Sequence, residues 1–158
     1  MTTIILTSEH LQTLNLAPVE TLVLPWLEKA EILNHEQTLE FTIDYPRDPT
    51  DPRELSEIPE VRLWFVRLDA RYPWFPFLLN WKTGELARYV AMVVPHQFHR
   101  QDGIQFNPEA LELFVMGKLF ILADWFKENG IEQPSRLQAI AQMLGYEVDN
   151  HFFTFLTL

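Results

Sequence analysis

The chain has 158 residues, 47% of them apolar, which fits one globular domain with a sizeable hydrophobic core. Its 22 acidic and 12 basic residues give a formal net charge of −10, which disfavours nucleic acid and anionic membranes as partners. A basic protein partner would suit this charge, although acidic surfaces also simply maintain solubility. There is no cysteine, which excludes disulfides, thiol catalysis and cysteine-ligated clusters on this chain. Without the pattern of a signal peptide or a membrane span, a cytoplasmic location is expected by elimination.

The first half of the chain alternates between strand and helix patterns. Residues 3–6 are short and β-branched and predict a strand. A brief helix is predicted next, and a second one begins near Pro18, a residue suited to a first helical turn. Apolar and polar residues then alternate over 39–45, which predicts a strand with one buried face. After a proline-rich acidic loop at 46–59, alternation over 61–66 predicts another strand.

The second half is dominated by helices. Residues 72–81 are aromatic and punctuated by proline, which predicts a compact loop or short turns. A helix is predicted over 83–93, although the β-branched stretch 89–94 also fits a strand. A long helix from 107 to about 129 and a final one over 135–145 follow from their capping residues. This order predicts an α+β fold with a small antiparallel sheet packed against several helices.

Acidic residues are concentrated around the proline-rich loop, at Asp44, Asp48, Asp51, Glu54, Glu57 and Glu60. Most are three residues apart, as are the loop's prolines, and a polyproline II helix has three residues per turn. The loop is therefore predicted to be a stiff, extended docking element with one acidic edge. A solvated loop with Asp-Pro turns is the alternative. A glycosidase-like carboxylate pair is less favoured, because nothing in the sequence sets the pKa values of these acids apart.

Aromatic and arginine residues, the types that dominate interface hot spots, follow the acidic loop closely. The predicted strand 61–66 is expected to bury Val61, Leu63 and Phe65. Trp64 then lies on the opposite face and needs a cover from this chain or from a partner. Filling of the protein's own core remains the alternative for most of these rings. The predicted partner-binding residues are Asp48, Asp51, Arg53, Glu54, Glu57, Glu60, Arg62, Trp64, Arg71, Tyr72, Trp74 and Trp81.

Motifs for catalysis or for a cofactor are missing from the sequence, so no catalytic residue and no cofactor are predicted. His96 and His99 are a weak metal-site candidate, since three-residue spacing on a helix would place both rings on one face; locally hydrogen-bonded loop histidines are the alternative. An enzyme of unknown substrate could use a pocket near Asp44, Asp69, Arg71 and His96. A permanent structural subunit of a larger complex is the other alternative.

Three long stretches of the chain resemble the chlororespiratory reduction 6 family: DYPRDPTDPRELSEIPEVRLWFVRLDARYPWFPFLLNW, GELARYVAMVVPHQFH and GIQFNPEALELFVMGKLF. The resemblance covers about residues 39–146, the family-like core. The first 38 residues are less distinctive. A single globular domain spanning 1–158 is expected to contain both parts.

The resemblance implies a chaperone-like assembly factor of cyanobacteria or plastids, soluble in the bacterial cytoplasm or, for plant relatives, in the plastid stroma. Such a factor would help to build the photosynthetic NAD(P)H dehydrogenase-like complex without catalysing a reaction. The implied partner is the complex's peripheral iron–sulfur, ferredoxin-like subunit, bound and protected before incorporation. The absence of cysteine agrees with this role, because the chain cannot hold a cluster through thiolates of its own.

Overall fold

The computed structural model describes residues 1–99 and 101–156. They belong to two compact units, Met1–Gln105 and Phe106–Leu158, and the expectation of one domain spanning both stays a prediction. In chain order the strands and α-helices are β1 (Thr2–Thr7), α1 (Ser8–Gln12), α2 (Ala17–Glu28), β2 (Leu39–Asp44), α3 (Pro59–Arg71), α4 (Glu85–Val93), β3 (His96–His99), β4 (Gly103–Phe106), α5 (Pro108–Glu128), α6 (Ser135–Met143) and α7 (Asn150–Leu156).

The strands β1 and β2 pair in parallel, in a register that places Ile4 opposite Phe41. Parallel neighbours need a long crossover, and the intervening α1 and α2 supply it. Ile4, Leu6 and Phe41 are buried on one face of the pair, while Ile5 points to the other face and is exposed. The strands predicted over 3–6 and 39–45 are therefore confirmed.

The predicted α+β class with a small antiparallel sheet is also confirmed. The antiparallel pair, however, is β3–β4, a region for which no strands are predicted from the sequence. The strands predicted over 39–45 and 61–66 behave differently. One of them, β2, pairs in parallel with β1, and the other is a helix.

The prediction of a strand over 61–66 is wrong, because these residues lie inside α3. Pro59 begins this helix, where its missing N–H costs no intrahelical bond. The side chains buried along α3 are Val61, Trp64, Phe65 and Leu68, which recur at the i, i+3, i+4, i+7 spacing of one helical face. Leu63, predicted to be buried, is 54% exposed.

Aromatic rings form the centre of the first unit around Phe65. The Phe65 centroid lies 5.1 Å from that of Phe41, 5.0 Å from Trp64 and 6.0 Å from Tyr89, each pair in an edge-to-face arrangement. Such pairs contribute about 0.5–1.5 kcal/mol beyond the burial of their surface. A buried 3₁₀ turn at Phe75–Leu78 confirms the compact aromatic turns predicted for 72–81.

The helices predicted in the second half of the chain are present. The helical prediction for 83–93 is confirmed by α4 over its strand alternative. Helix α5 begins as expected, with the Asn107 side chain accepting a hydrogen bond from the Ala110 amide at 3.0 Å. After α5 the chain turns at Gly130, which has a φ of +72° that suits glycine. The expectation that α6 is the final helix is wrong, because α7 follows it.

Candidate protein-docking surface

Two consecutive parts of the first unit contain six of the twelve predicted partner-binding residues. The first is the acidic segment, which we define as residues 45–57, between β2 and α3. The second is the outer face of α3, defined by the exposed residues Leu63, Val66, Arg67, Ala70 and Arg71. Helix α3 spans about 20 Å at 1.5 Å per residue, so its outer face offers a narrow stripe.

The acidic segment folds back on itself near Asp48. The Asp51 amide donates to the Asp48 carbonyl at 2.9 Å, and Asp48 Oδ1 accepts from the Thr50 amide at 2.8 Å and from its hydroxyl at 2.6 Å. These bonds, the hydroxyl first, lower the pKa of the Asp48 carboxyl. A polyproline II helix has no internal hydrogen bonds, so the prediction of a continuous extended element is wrong here. The alternative, a solvated loop with turns, describes this segment.

Asp51 and Arg53 form the segment's ion pair. Arg53 Nη2 lies 2.8 Å from Asp51 Oδ2, and the Arg53 amide donates to Asp51 Oδ1 at 3.0 Å. The side-chain hydrogen bond, followed by the amide, lowers the pKa of Asp51 from 3.8 to about 2. The same contact raises the pKa of Arg53. Arg47 adds a hydrogen bond from its guanidinium to the Arg53 carbonyl. These bonds join residues that are two to six positions apart in the sequence. They therefore give the loop a defined shape without joining it to the core.

The C-terminal end of the segment is fixed to the rest of the unit. Ser56, buried in the 3₁₀ turn Leu55–Glu57, has its Oγ 3.0 Å from His96 Nε2. His96 Nδ1 lies 3.0 Å from the Val94 carbonyl, which can only accept, so Nδ1 carries a proton. In the neutral ring, Nε2 then accepts from the Ser56 hydroxyl. The segment is also spanned by a hydrogen bond of 3.3 Å from the Tyr45 hydroxyl to Glu60.

A serine beside an oriented histidine is also the arrangement of an activated nucleophile, and no pattern in the sequence predicts this pair. The backbone donors next to Ser56 are already used, however. The Glu57 amide donates to the Glu54 carbonyl at 2.9 Å, and the Ile58 amide to the Leu55 carbonyl at 3.1 Å. An oxyanion would need such donors to be available. We therefore interpret the pair as the structural attachment of the segment.

An open pocket of about 400 Å³ lies beside this attachment. The acidic segment forms one wall of the pocket, α4 forms another, and Ile104 of β4 contributes from the hairpin; the lining residues are Glu54, Leu55, Ser56, Ala87, Arg88, Ala91, Met92 and Ile104. Aliphatic side chains thus surround a few charged groups. A depression of this kind can receive an apolar side chain of another protein.

The outer face of α3 combines apolar and basic side chains. Leu63 is 54% exposed and Val66 is 42% exposed, and Arg67 and Arg71 are exposed on the same side of the helix. Sequence reasoning missed Leu63 and Val66 because it assigned a strand and a buried Leu63. The buried residues of α3 follow the i, i+3, i+4, i+7 spacing of a helix. Recognising that spacing would have identified Leu63 and Val66 as residues of the outward face.

Two of the predicted partner-binding aromatics are buried. Trp64 is 0% exposed, and its Nε1–H donates to the Asn15 carbonyl at 2.7 Å, so the prediction that it faces outward is wrong. Tyr72 is buried as well, with its ring centroid 5.5 Å from that of Trp74. Trp74 and Trp81 are half-buried, and Trp81 Nε1 donates to the Pro76 carbonyl at 3.1 Å. These rings belong mainly to the core of the unit.

The charged members of the predicted set are at or near the surface. Asp48, Arg53, Glu54 and Arg71 are exposed, and Asp51, Glu57, Glu60 and Arg62 are half-buried. Arg62 Nε is 3.4 Å from the Met92 carbonyl, and the guanidinium carbon of Arg71 lies 6.0 Å from the centroid of the Tyr72 ring. The structure thus places the predicted charged residues at or near the surface, whereas the predicted tryptophans are buried or half-buried. The exposed apolar residues Leu63 and Val66 were not among the predicted partner-binding residues.

The residues named for the alternative functions have different partners. Asp69 accepts a hydrogen bond of 2.6 Å from the Tyr89 hydroxyl, whose pKa is raised by burial and then by the Asp69 charge, whereas His96 binds Ser56. His96 and His99 lie on β3, where positions three apart point to opposite faces, so the helical spacing behind the metal candidate does not occur. In residues 1–99 and 101–156, no group of three or more His, Asp or Glu side chains could hold a metal ion.

Fold and site together define a helix-rich α+β protein whose candidate site is an open, charged and partly apolar surface. The chain belongs to the chlororespiratory reduction 6 family, whose family model matches residues 6–155 of the 158-residue chain. The match begins well before residue 39, so the N-terminal part, predicted to be less distinctive, lies within the family region. No solved structure matches the chain.

Family membership fits a role in assembling the NAD(P)H dehydrogenase-like complex, because the family is known as an assembly factor of that complex. Of the helices in the described parts of the chain, none is both long enough and apolar enough to cross a membrane.

Proposed function

We propose that the chain binds the iron–sulfur, ferredoxin-like subunit of the NAD(P)H dehydrogenase-like complex and protects it before incorporation, without catalysing a reaction. Membership of an assembly-factor family supports the link to the complex. The chain has no cysteine, so it cannot compete for the subunit's clusters with thiolates. Its contribution is therefore to cover surfaces of the subunit that the finished complex later buries.

The observation that carries the proposal is the outer face of α3 beside the acidic segment. Leu63 and Val66 offer apolar contact area, and Arg67 and Arg71 are of the type that anchors interfaces. The pocket between the acidic segment and α4 can receive one side chain of the subunit. Interfaces combine an apolar centre with a polar rim, and these parts supply both.

The charge of the acidic segment has a separate role in this proposal. Asp51 keeps its negative charge down to about pH 2, and the whole chain has a net charge of −10. Such charges accelerate encounter with a basic surface more than they strengthen the final complex. Release into the growing complex requires a moderate affinity, and a Kd near 1 μM corresponds to about −8 kcal/mol. A permanent subunit would need a larger and more apolar interface.

The test is binding of the purified iron–sulfur subunit, with and without its clusters, measured by calorimetry. Leu63→Ser combined with Val66→Ser is expected to weaken binding at least tenfold, because the apolar centre of the interface is lost. The matched control is Leu113→Ser, which removes an apolar side chain that is 75% exposed on α5. This control is expected to bind like the wild type.

Two results would contradict the proposal. If the wild-type chain does not bind the subunit in either form, the proposed client is wrong. If the double variant is folded and binds as tightly as the wild type, the outer face of α3 is not the binding surface.

A further inference from the structure

The two edges of the β1–β2 sheet differ in how their backbone groups are used. The Thr2 amide donates to the Thr38 carbonyl at 2.9 Å, which fixes the direction of the ladder. Successive residues of a strand direct their N–H and C=O groups to opposite sides, so Thr2, Ile4 and Leu6 face β2. Thr3 and Ile5 therefore direct their backbone groups away from β2, to the outer edge of the sheet.

The outer edge of β2 is closed by groups that replace a third strand. The Phe41 amide donates to Glu85 Oε2 at 3.3 Å, and the Phe41 carbonyl accepts from Arg88 Nη1 at 2.8 Å. Glu85 and Arg88 are themselves an ion pair, 3.4 Å apart, on α4. The Leu39 carbonyl at the same edge accepts from the Asn80 amide at 2.9 Å. Each of these contacts satisfies a backbone group that an added strand would otherwise bind.

The outer edge of β1 has no such closure at its centre. Thr3 is exposed and Ile5 is 59% exposed. Within residues 1–99 and 101–156, neither the Thr3 amide nor the Ile5 amide has a hydrogen-bond acceptor. Of the three outward-facing residues Thr3, Ile5 and Thr7, the last has its amide occupied, by His10 Nδ1 at 3.1 Å. Proteins usually protect open edges with lysine, proline or a bulge, and β1 has an isoleucine instead.

We propose that this β1 edge binds an extended segment of a partner protein as a third strand, with basic residues in that segment. The backbone groups of Thr3 and Ile5 specify an extended main chain, because only a strand offers donors and acceptors at matching intervals. The surface therefore differs from the docking surface on α3, and the inference goes beyond the proposed function. It does not depend on which protein supplies the segment.

The side chains on the exposed face of the sheet specify the charge of that segment. Residues paired in a parallel ladder share a face, and this face presents Thr3, Ile5, Thr7, Glu40, Thr42 and Asp44. It has two carboxylates, one large apolar side chain and no basic residue. An apolar residue of the added strand would pack on Ile5. Lysine or arginine side chains beside it are long enough to reach across β1 toward Glu40 or Asp44.

The same charges disfavour a second copy of this chain as the occupant. Pairing two β1 edges would bring together two molecules with a net charge of −10 each. Like charges facing each other across an interface oppose association. A basic segment of another protein gains from the same charges, and this difference decides between the two occupants.

The probe is a synthetic nine-residue peptide with threonine at the odd positions and lysine and valine in turn at the even positions, so that lysine and valine share one face of the added strand. We expect it to slow hydrogen exchange of the Thr3 and Ile5 amides at least tenfold, measured by NMR on the full chain with any tag at the C-terminus. Ile5→Pro removes the outward N–H together with the isoleucine side chain, breaks no bond of the β1–β2 ladder, and is tolerated at an edge. It is expected to weaken peptide binding at least tenfold relative to Ile5→Ala, which keeps the N–H. Thr3→Pro provides a second variant if Ile5→Pro does not fold.

Four results would overturn the inference. The peptide could fail to bind at millimolar concentration, or bind without slowing exchange at Thr3 and Ile5. It could bind the proline and alanine variants equally, which would indicate attraction to the acidic surface in general. Finally, sedimentation could show a dimer of the chain that Ile5→Pro abolishes, which would assign the edge to a second copy.

Discussion

The acidic segment and α3 are adjacent in the chain and are held in place by different means. The contacts of Asp48 and Asp51 join residues two or three positions apart. Helix α3 is instead anchored by contacts between residues far apart in sequence, such as Trp64 with the Asn15 carbonyl and Phe65 with Phe41. The comparison teaches that the part of the segment around Asp48, Asp51 and Arg53 can change with little effect on the fold. In α3 the inner face determines stability and the outer face is available for binding.

The largest expected effect comes from the inner face of α3. Trp64→Ala removes a fully buried ring and the hydrogen bond to Asn15, and is expected to lower the free energy of unfolding by about 3–5 kcal/mol. Chemical denaturation monitored by circular dichroism measures this loss. Leu63→Ala, one position earlier on the outer face, is the control and is expected to cost less than about 1 kcal/mol. Equal losses in the two variants would contradict the assignment of the two faces.

The sequence predicts the fold best where a local pattern is long or its ends are marked. Alternation over β2 and the capping residues of α5 are of this kind. The strand pattern at 61–66 misleads because Val61, Leu63 and Phe65 satisfy alternation within six residues. The same six residues also contain the start of a helical pattern, formed by Val61, Trp64 and Phe65. Leu68, which lies outside the window, is needed to distinguish the helical pattern from alternation.

The candidate site is predictable in its charges and not in its aromatics. Charged side chains such as Asp48 and Arg53 are costly to bury without partners, so their exposure follows from residue type. Whether a tryptophan is exposed depends on the rest of the fold. Burial of Trp64 requires a partner for its N–H, which a carbonyl 49 positions away in the chain supplies, and no local pattern contains that contact.

An intermediate effect is expected where the acidic segment is attached. Ser56→Ala removes the hydroxyl that lies 3.0 Å from His96 Nε2 and is expected to cost about 1–2 kcal/mol of unfolding free energy. A double-mutant cycle with His96→Ala checks this, because the second substitution should add less than its full cost once Ser56 is absent. Fully additive costs would show that the two side chains do not interact.

The smallest effect on stability is expected inside the segment. The folded-state pKa of Asp51, about 2, is below its ordinary 3.8, so any stabilisation is present above pH 3.8 and is lost as the pH falls through 2. Because the ion pair is at the surface, Arg53→Ala is expected to leave unfolding at pH 7 unchanged within error. The pKa of Asp51 should nevertheless rise toward 3.8, since the side-chain bond is lost and only the amide bond remains.

An NMR titration of the Asp51 carboxyl in wild type and Arg53→Ala measures this change. A wild-type midpoint already at 3.8 would show that the ion pair does not form in solution. A loss of stability at neutral pH would show that the segment is coupled to the core more strongly than its short-range bonds indicate.

The Glu85–Arg88 closure of β2 also limits how many strands the sheet can recruit. A fibre grows when each molecule offers two complementary edges, so that every addition creates a new place for the next. Here Phe41 is occupied by side chains of the same molecule, which leaves one edge for addition. Copies of this chain that paired through β1 would therefore stop at a dimer, because each copy's β2 edge is occupied. The β1–β2 sheet can present an unprotected edge without propagating such copies into a fibre.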